Sequence, residues 1–174
     1  MIENIIVVDN FDKEIGFIEK MEAHRKGILH RAFSILVVNS NNQLLLQKRS
    51  VKKYHSPGLW SNTCCSHPKY GEDLQHAIHR RLQEEMGFIC ELKELFSFVY
   101  KVELENNFFE NEYDHVFIGR YDGEIAVNQD EVDDFKWIEI NEVKTDIVDN
   151  PGLYTYWFKY LMNKVENDIF SKLI

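Results

Sequence analysis

Four stretches of this sequence hold residue types that can do chemistry. His24 and His30 lie six apart around Gly27, Cys65 and His67 sit in Cys65-Ser66-His67-Pro68, and Glu110 and Glu112 flank Asn111. The fourth is Glu85, an acid inside an apolar helical stripe. Imidazoles and carboxylates are ligands for Mn2+, Mg2+ or Zn2+. A spacing of six suits neither one helix face nor adjacent strand positions, so His24 and His30 share an ion only if the chain bends at Gly27. In extended backbone Glu110 and Glu112 project to the same side. Two imidazoles from a bend, one from a loop and two carboxylates from a strand make a five-donor set. Spacing alone leaves the plainer reading open, because Glu-Asn-Glu before a strand is commonly solvent-facing.

Glu85 stands out by periodicity. At 100° per residue Leu74, Ile78 and Leu82 form one stripe, Arg81 and Glu85 fall within it, and Arg80 and Glu84 lie towards its edge. An i,i+4 pair of Arg81 with Glu85 on a solvated face is one account. It fits poorly, since the face is apolar and a buried charge is costly unless paired or metal-bound.

The elements that must position these residues follow from the rest of the chain. Its 174 residues suit one domain, and 44% hydrophobic with 28% charged residues is an ordinary globular composition. The longest clean apolar run, Ile35 to Val38, is strand-sized, which predicts no membrane association. The N-terminus lacks a basic region ahead of an apolar stretch, and the expectation is a cytoplasmic protein. Three cysteines are an odd number, which favours thiol chemistry over disulfides, with Cys64 and Cys90 read as small buried hydrophobes.

A net charge of −9 argues against a nucleic-acid partner. Residues 16–60 carry eight Lys or Arg against Glu19 and Glu22, whereas residues 102–150 carry fifteen acids against three bases. A basic wall facing an acidic wall across a pocket would suit a small polyanion held partly through a divalent ion.

Ile5–Val8, Glu14–Lys20, Leu95–Val102, Tyr113–Tyr121 and Phe135–Ile140 read as strands. Ala32–Val38 and Gln43–Lys48 read as a hairpin across Asn39–Asn42. Tyr54–Pro68 holds two of the three prolines and reads as a long loop. Glu72–Met86 is the clearest helix, stopped by Gly87, and a last amphipathic helix runs from Tyr154 towards Phe170. The fold class is α/β (α+β), a mixed sheet with flanking helices.

Glu72, Arg80, Leu82, Glu84, Glu85 and Gly87 fall on the spacing of the Nudix box, a loop–helix motif that binds divalent metal beside a diphosphate. Ser66 replaces its opening Gly and Arg81 one of its Glu residues, which points away from diphosphate hydrolysis. More broadly, His24…His30-Arg31-Ala32-Phe33-Ser34, Pro57-Gly58-Leu59-Trp60-Ser61-Asn62-Thr63-Cys64-Cys65-Ser66-His67-Pro68 and Glu110-Asn111-Glu112 resemble the signatures of type I isopentenyl-diphosphate isomerases. The resemblance covers nearly the whole chain. It implies one Nudix-like sandwich domain over residues 1–174, the strands of 1–30 completing a core region of about 31–165.

The resemblance also implies roles. His24, His30, His67, Glu110 and Glu112 would bind Mn2+, Mg2+ or Zn2+, and Glu85 would help hold Mg2+ on the diphosphate. Cys65 and Glu112 would flank the substrate as proton-transfer groups, with Tyr100 relaying at Glu112. A reference thiol pKa of about 8.5 would let Cys65 serve in either protonation state. Trp157 would lay its π face over a carbocation, although a Trp on an apolar helix face is also ordinary core. Lys20, Arg49, Lys53 and Arg81 would hold the diphosphate, with Lys48 and Lys52 as solvated neighbours. Trp60 and Phe33 would be either pocket walls or core. No flavin is expected, and monomer or weak dimer stays open. The alternative is a Nudix hydrolase acting on a nucleotide or other diphosphate.

Overall fold

The computed structural model describes residues 3–104 and 107–165. A hairpin of β1 (Asn4–Val8) and β2 (Glu14–Glu19) leads into a short helix, α1 (Lys20–Lys26), and then into β3 (His30–Val38). After β4 (Gln43–Arg49) come β5 (Trp60–Ser61), β6 (Cys64–Ser66) and helix α2 (Leu74–Met86). The chain continues through β7 (Leu92–Glu103), β8 (Phe109–Arg120), β9 (Val132–Glu139), α3 (Ile140–Asp149) and α4 (Tyr156–Lys164). This is the mixed sheet with flanking helices that the sequence predicts.

The centre of the fold is β3. It runs parallel to β8 over nine residue pairs, from His30↔Glu112 to Val38↔Arg120, and antiparallel to β6. Strand β3 therefore reads as an almost continuous apolar run, as a strand covered on both faces must. Phe33, Ile35 and Val37 pack with Ala77, Ile78, Leu82 and Met86 of α2. Leu36 and Val38 pack with Trp157, Phe158 and Leu161 of α4.

Four expectations need correction. The expected β3–β4 hairpin exists only at its neck, through Val38↔Leu44; β4 then pairs with β9 and β5. Asn42, at φ 59°, still makes the turn, and the Asn39 side chain accepts from the backbone of Asn41 and Gln43. Residues 54–68 are not all loop, because β5 and β6 lie inside them, too short to show alternation. Lys20 begins α1 rather than ending a strand, because the Glu19 carboxylate caps the helix by accepting from Met21 and Glu22. The C-terminal helix starts at Tyr156, and the part predicted beyond residue 165 lies outside the described residues.

The bend at Gly27 is the C-cap of α1, in left-handed backbone at φ 61°. A side chain there would also press on Phe109, 3.3 Å from an added Cβ. Helix α2 is capped by Asp73 and closed by Gly87 at φ 79°, where an added Cβ would lie 2.3 Å from the Ala126 carbonyl oxygen.

Glu72 ties the loop before α2 to the helix. Its carboxylate accepts from Lys69 N and from Nε and Nη2 of Arg80, and the hydrogen bonds from Arg80 hold its pKa down to about 2. A carboxylate depressed in the folded state contributes stability that is complete above its unfolded value of about 4.5 and is lost as pH falls through about 2. Glu72→Gln should be less stable than wild type at pH 6. The gap should narrow steadily in urea titrations taken below about pH 4.5. A gap independent of pH would contradict this coupling.

Candidate active site and metal centre

Sheet register assembles the site. Glu112 on β8 lies between His30 on β3 and Tyr100 on β7, so three side chains share one row across three strands. Cys65 on β6 pairs with Ser34 on the other side of β3, and His67 follows two residues later. The Gly27 bend brings His24 from α1 back over the start of β3. Asn111 turns the opposite way from its two neighbours and donates to the Gly27 carbonyl, fastening β8 to that bend.

The donor atoms of His24, His30, His67, Glu110 and Glu112 all lie within 4.8 Å of one another, and all five residues are buried. Nδ1 of His24 donates to the Lys20 carbonyl and Nδ1 of His30 to the Ile28 carbonyl, each at 2.7 Å. These bonds fix the tautomers, so each Nε2 aims a lone pair inward. Nε2 of His30 stands 3.2 Å from Nε2 of His67, and Nε2 of His24 stands 3.4 Å from Oε2 of Glu110. Neither His24 Nε2 nor Glu110 Oε2 has a hydrogen-bond partner among the described residues. Neighbouring ligands of an octahedral ion at 2.0–2.1 Å would be about 3 Å apart. The cluster fits a divalent cation.

The electrostatics agree. Burial lowers the pKa of His24, and lowers that of His67 to about 3, so both rings are neutral, the form in which imidazole can coordinate a metal. Burial, reinforced by the charge of Glu112, pushes Glu110 up. Burial also works to raise Glu112, but its pairing with the imidazoles of His30 and His67 outweighs it and the net shift is downward. Two adjacent buried carboxylates of opposite tendency are a pair that a shared cation would let ionise together.

Cys65, Ser34, Phe33, Tyr100 and Trp157 line the same pocket as Glu110 and Glu112. The Tyr100 hydroxyl donates to Oε2 of Glu112 at 2.5 Å, leaving Oε1 to His67 at 2.8 Å. Burial pushes the Cys65 thiol up to about 12, so it is a neutral thiol and not evenly poised as its reference value suggests. Trp157 donates its ring N–H to Ser61 and turns a face to the Arg49 guanidinium, 5.1 Å from the ring centroid. Lys20, Arg49, Lys53, Arg81 and Glu85 also line it, with Tyr54, His55, Ser66 and His67.

Residues 28–158 match the NUDIX domain family. Over 163 residues the chain is 53% identical to isopentenyl-diphosphate Delta-isomerase 2 of Photorhabdus laumondii, covering 94% of this chain and 92% of that one. The chain belongs to the isopentenyl-diphosphate Delta-isomerase family. The Burkholderia multivorans member is 47% identical over 164 residues, covering 94% and 93% of the two chains. Solved structures agree on the Nudix fold: the MutT NUDIX hydrolase of Burkholderia pseudomallei has a TM-score of 0.62 at 20% identity, over 79% of this chain and 98% of that one. The Deinococcus radiodurans protein DR0079 has a TM-score of 0.79 at 19% identity, over 93% of this chain and 98% of that one.

Within this isomerase family member the basic residues differ from one another. Arg81 pairs with Glu84, Glu85 and Glu131, Lys53 pairs with Glu131, and Lys20 stands 3.5 Å from Glu3. Arg49 is buried, has no carboxylate within 4.0 Å among the described residues, and leaves its Nε unpartnered. A buried unpaired guanidinium in a pocket is the strongest anion-binding signal here. Glu85 is buried between Arg81 and the Gln47 amide, so the pair with Arg81 forms, but against the pocket and not on a solvated face. Arg80 instead serves Glu72.

The choice left open between wall and core falls differently for Phe33 and Trp60. Phe33 lines the pocket, whereas Trp60 lies away from it on β5, its ring 4.5 Å from Lys136 Nζ. Cys64 is fully buried under α2, as a small hydrophobe would be, and Cys90 is half-buried. Tyr54 and His55 line the pocket and escaped the sequence reading, as did Asp114, the partner of the pocket-lining Ser34. His55 sits alone in an aperiodic loop. Asp114 carried a usable signal, since it continues the Glu110, Glu112 alternation along β8, and it accepts from Ser34 at 2.8 Å. Among the described residues no helix is long and apolar enough to cross a membrane.

Proposed function

We propose that this protein converts isopentenyl diphosphate to dimethylallyl diphosphate. The observation that carries the reading is one pocket lined by both Cys65 and Glu112, beside a five-donor cage and a buried unpaired Arg49. Identities of 40–53% to curated isomerases over nearly the whole chain support it.

Arg49, Lys53, Arg81 and Lys20 hold the diphosphate and leave the five-carbon tail among Phe33, Trp157 and Cys65. His24, His30, His67, Glu110 and Glu112 would hold Mn2+, Mg2+ or Zn2+, and Glu85 would hold Mg2+ on the diphosphate. Such ions supply fixed positive charge that keeps the cage carboxylates ionised and the diphosphate neutralised. The double bond takes a proton at its terminal carbon, leaving positive charge on the tertiary carbon. A C–H bond on the other neighbouring carbon then breaks, its electron pair closes the new double bond, and the proton leaves on the opposite face. Cys65 and Glu112 carry these two transfers, with the Tyr100 hydroxyl hydrogen-bonded at Glu112 as the relay. The reaction is reversible, so each group donates in one direction and accepts in the other. The Trp157 face stabilises the cation, and a water-poor wall keeps it from being captured.

The test is to incubate the purified protein with Mg2+ and Mn2+ and either isopentenyl diphosphate or nucleoside diphosphate derivatives. Dimethylallyl diphosphate should form and no phosphate should be released; chelation should abolish the conversion. Phosphate or nucleoside monophosphate release without isomerisation would make the chain a hydrolase, a reading against which Arg81 in place of the box Glu already weighs.

A further inference from the structure

Each cage ligand that has an outer partner is held in a recurring way, with one atom turned into the cage and another fixed from outside. His24 and His30 turn Nε2 inward and fix Nδ1 on backbone carbonyls. Glu112 turns Oε1 towards His67 and fixes Oε2 on the Tyr100 hydroxyl. Glu110 turns Oε2 towards His24, and the side chain placed at its other oxygen is His55, with Nε2 3.4 Å from Oε1.

The position of His55 is held by its surroundings. Its side chain is 10% exposed, its ring stacks on His24 at 6.0 Å between centroids, and it meets Trp157 edge-on at 5.5 Å. Its carbonyl accepts from Nη2 of Arg49 at 3.2 Å. Ser56, the next residue, takes a left-handed φ of 47° although it precedes Pro57, a conformation L residues rarely adopt. Such strain persists only where the surroundings over-determine it, and it clusters at functional sites. Residues 54–57 contain no periodic pattern that would require it for the core.

We propose that His55 is a positioning residue that holds Glu110 in its metal-binding orientation from outside the cage. In doing so it links the metal centre to the segment that carries Arg49 and Lys53. Glu110 on the metal side and Arg49 on the anion side touch the same residue, one through the imidazole and the other through the backbone carbonyl. Losing such an outer partner costs about 10–100-fold in metal affinity in other metalloproteins.

The inference rests on the cage being a metal site, and its test does not need the isomerase reaction. Mn2+ affinity would be measured by electron paramagnetic resonance titration for wild type, His55→Ala, His55→Gln, Glu110→Gln and the double variant His55→Ala/Glu110→Gln. We expect His55→Ala to bind Mn2+ about 10–100-fold more weakly, with an altered bound-ion spectrum and the metal-free melting temperature of wild type. His55→Gln keeps a donor and should recover most of the affinity. In the double variant the His55 effect should largely vanish, because its target carboxylate is gone. Wild-type affinity in His55→Ala, or full additivity in the double variant, would overturn the proposal. Wild-type affinity in Glu110→Gln would overturn the cage itself, a result separable from an absence of isomerase activity in a protein that still binds Mn2+.

Discussion

Replacing Cys65 by alanine is expected to lower kcat for isomerisation about 10³-fold or more while leaving the fold and the metal affinity intact. Positioned proton-transfer groups contribute roughly 10²–10⁴-fold, and in the proposed mechanism no other group in the pocket replaces the thiol on its face of the substrate. The structural cost is small. Cys65 is only half-buried on the three-residue strand β6, and its backbone pairing with Ser34 does not involve the side chain. Cys65→Ser should be nearly as impaired, since a hydroxyl is a far weaker acid than a thiol. The measurement is conversion of isopentenyl diphosphate by each variant, with circular dichroism and Mn2+ titration as controls. Unchanged turnover in Cys65→Ala would refute the role given to the thiol.

Glu112→Gln should be more damaging still, because one carboxylate serves two purposes. It presents Oε1 to His30 and His67 inside the cage and Oε2 to the Tyr100 hydroxyl. The variant should lose metal affinity and turnover together, with kcat down by at least about 10⁴-fold. Tyr100→Phe should lose turnover by about 10–100-fold and bind its metal more weakly than wild type but still measurably, since it removes an outer partner of Glu112 and leaves the ligand. Added Mn2+ stabilises only a protein that binds it. Thermal melts with and without Mn2+ should therefore show a metal-induced rise in Tyr100→Phe and none in Glu112→Gln. A full metal-induced rise in Glu112→Gln would remove Glu112 from the cage.

The residues assigned here to proton transfer and metal binding are legible in the sequence as types. The 100° stripe of α2 made Glu85 conspicuous, and the alternation of Glu110 and Glu112 placed both on one side of a strand. Elements with a strong period were legible for the same reason, α2 and the apolar run of β3 above all. Elements without one were not. Helix α1 is seven residues long and is set by the Glu19 cap and the Gly27 stop, not by a stripe. Strands β5 and β6 have two and three residues. Helix α3 follows β9 without a break and is rich in β-branched residues of low helix propensity, Ile140, Val143, Thr145, Ile147 and Val148, so the sequence reading assigns no element after Ile140. The turn at Asn39–Asn42 is real, but a turn constrains only its own neck, and β3 pairs more extensively with β8 and β6.

The sequence by itself determined which atoms are available and where the backbone must bend: the imidazoles, the carboxylates, the thiol, and the glycine that turns α1 into β3. Its resemblance to type I isopentenyl-diphosphate isomerases also points to the reaction. Only the tertiary structure decided which of those atoms meet. His67 and Glu112 are 45 residues apart, and Ser34 and Asp114 are 80 apart. What joins them is the parallel register of β3 with β8, a non-local pairing no short window of sequence encodes. The same packing separated Arg49, buried with no carboxylate partner among the described residues, from Lys20, Lys53 and Arg81, which already have carboxylate partners. It also brought His55 to Glu110, because an isolated histidine in a loop acquires a role only from what the fold sets beside it.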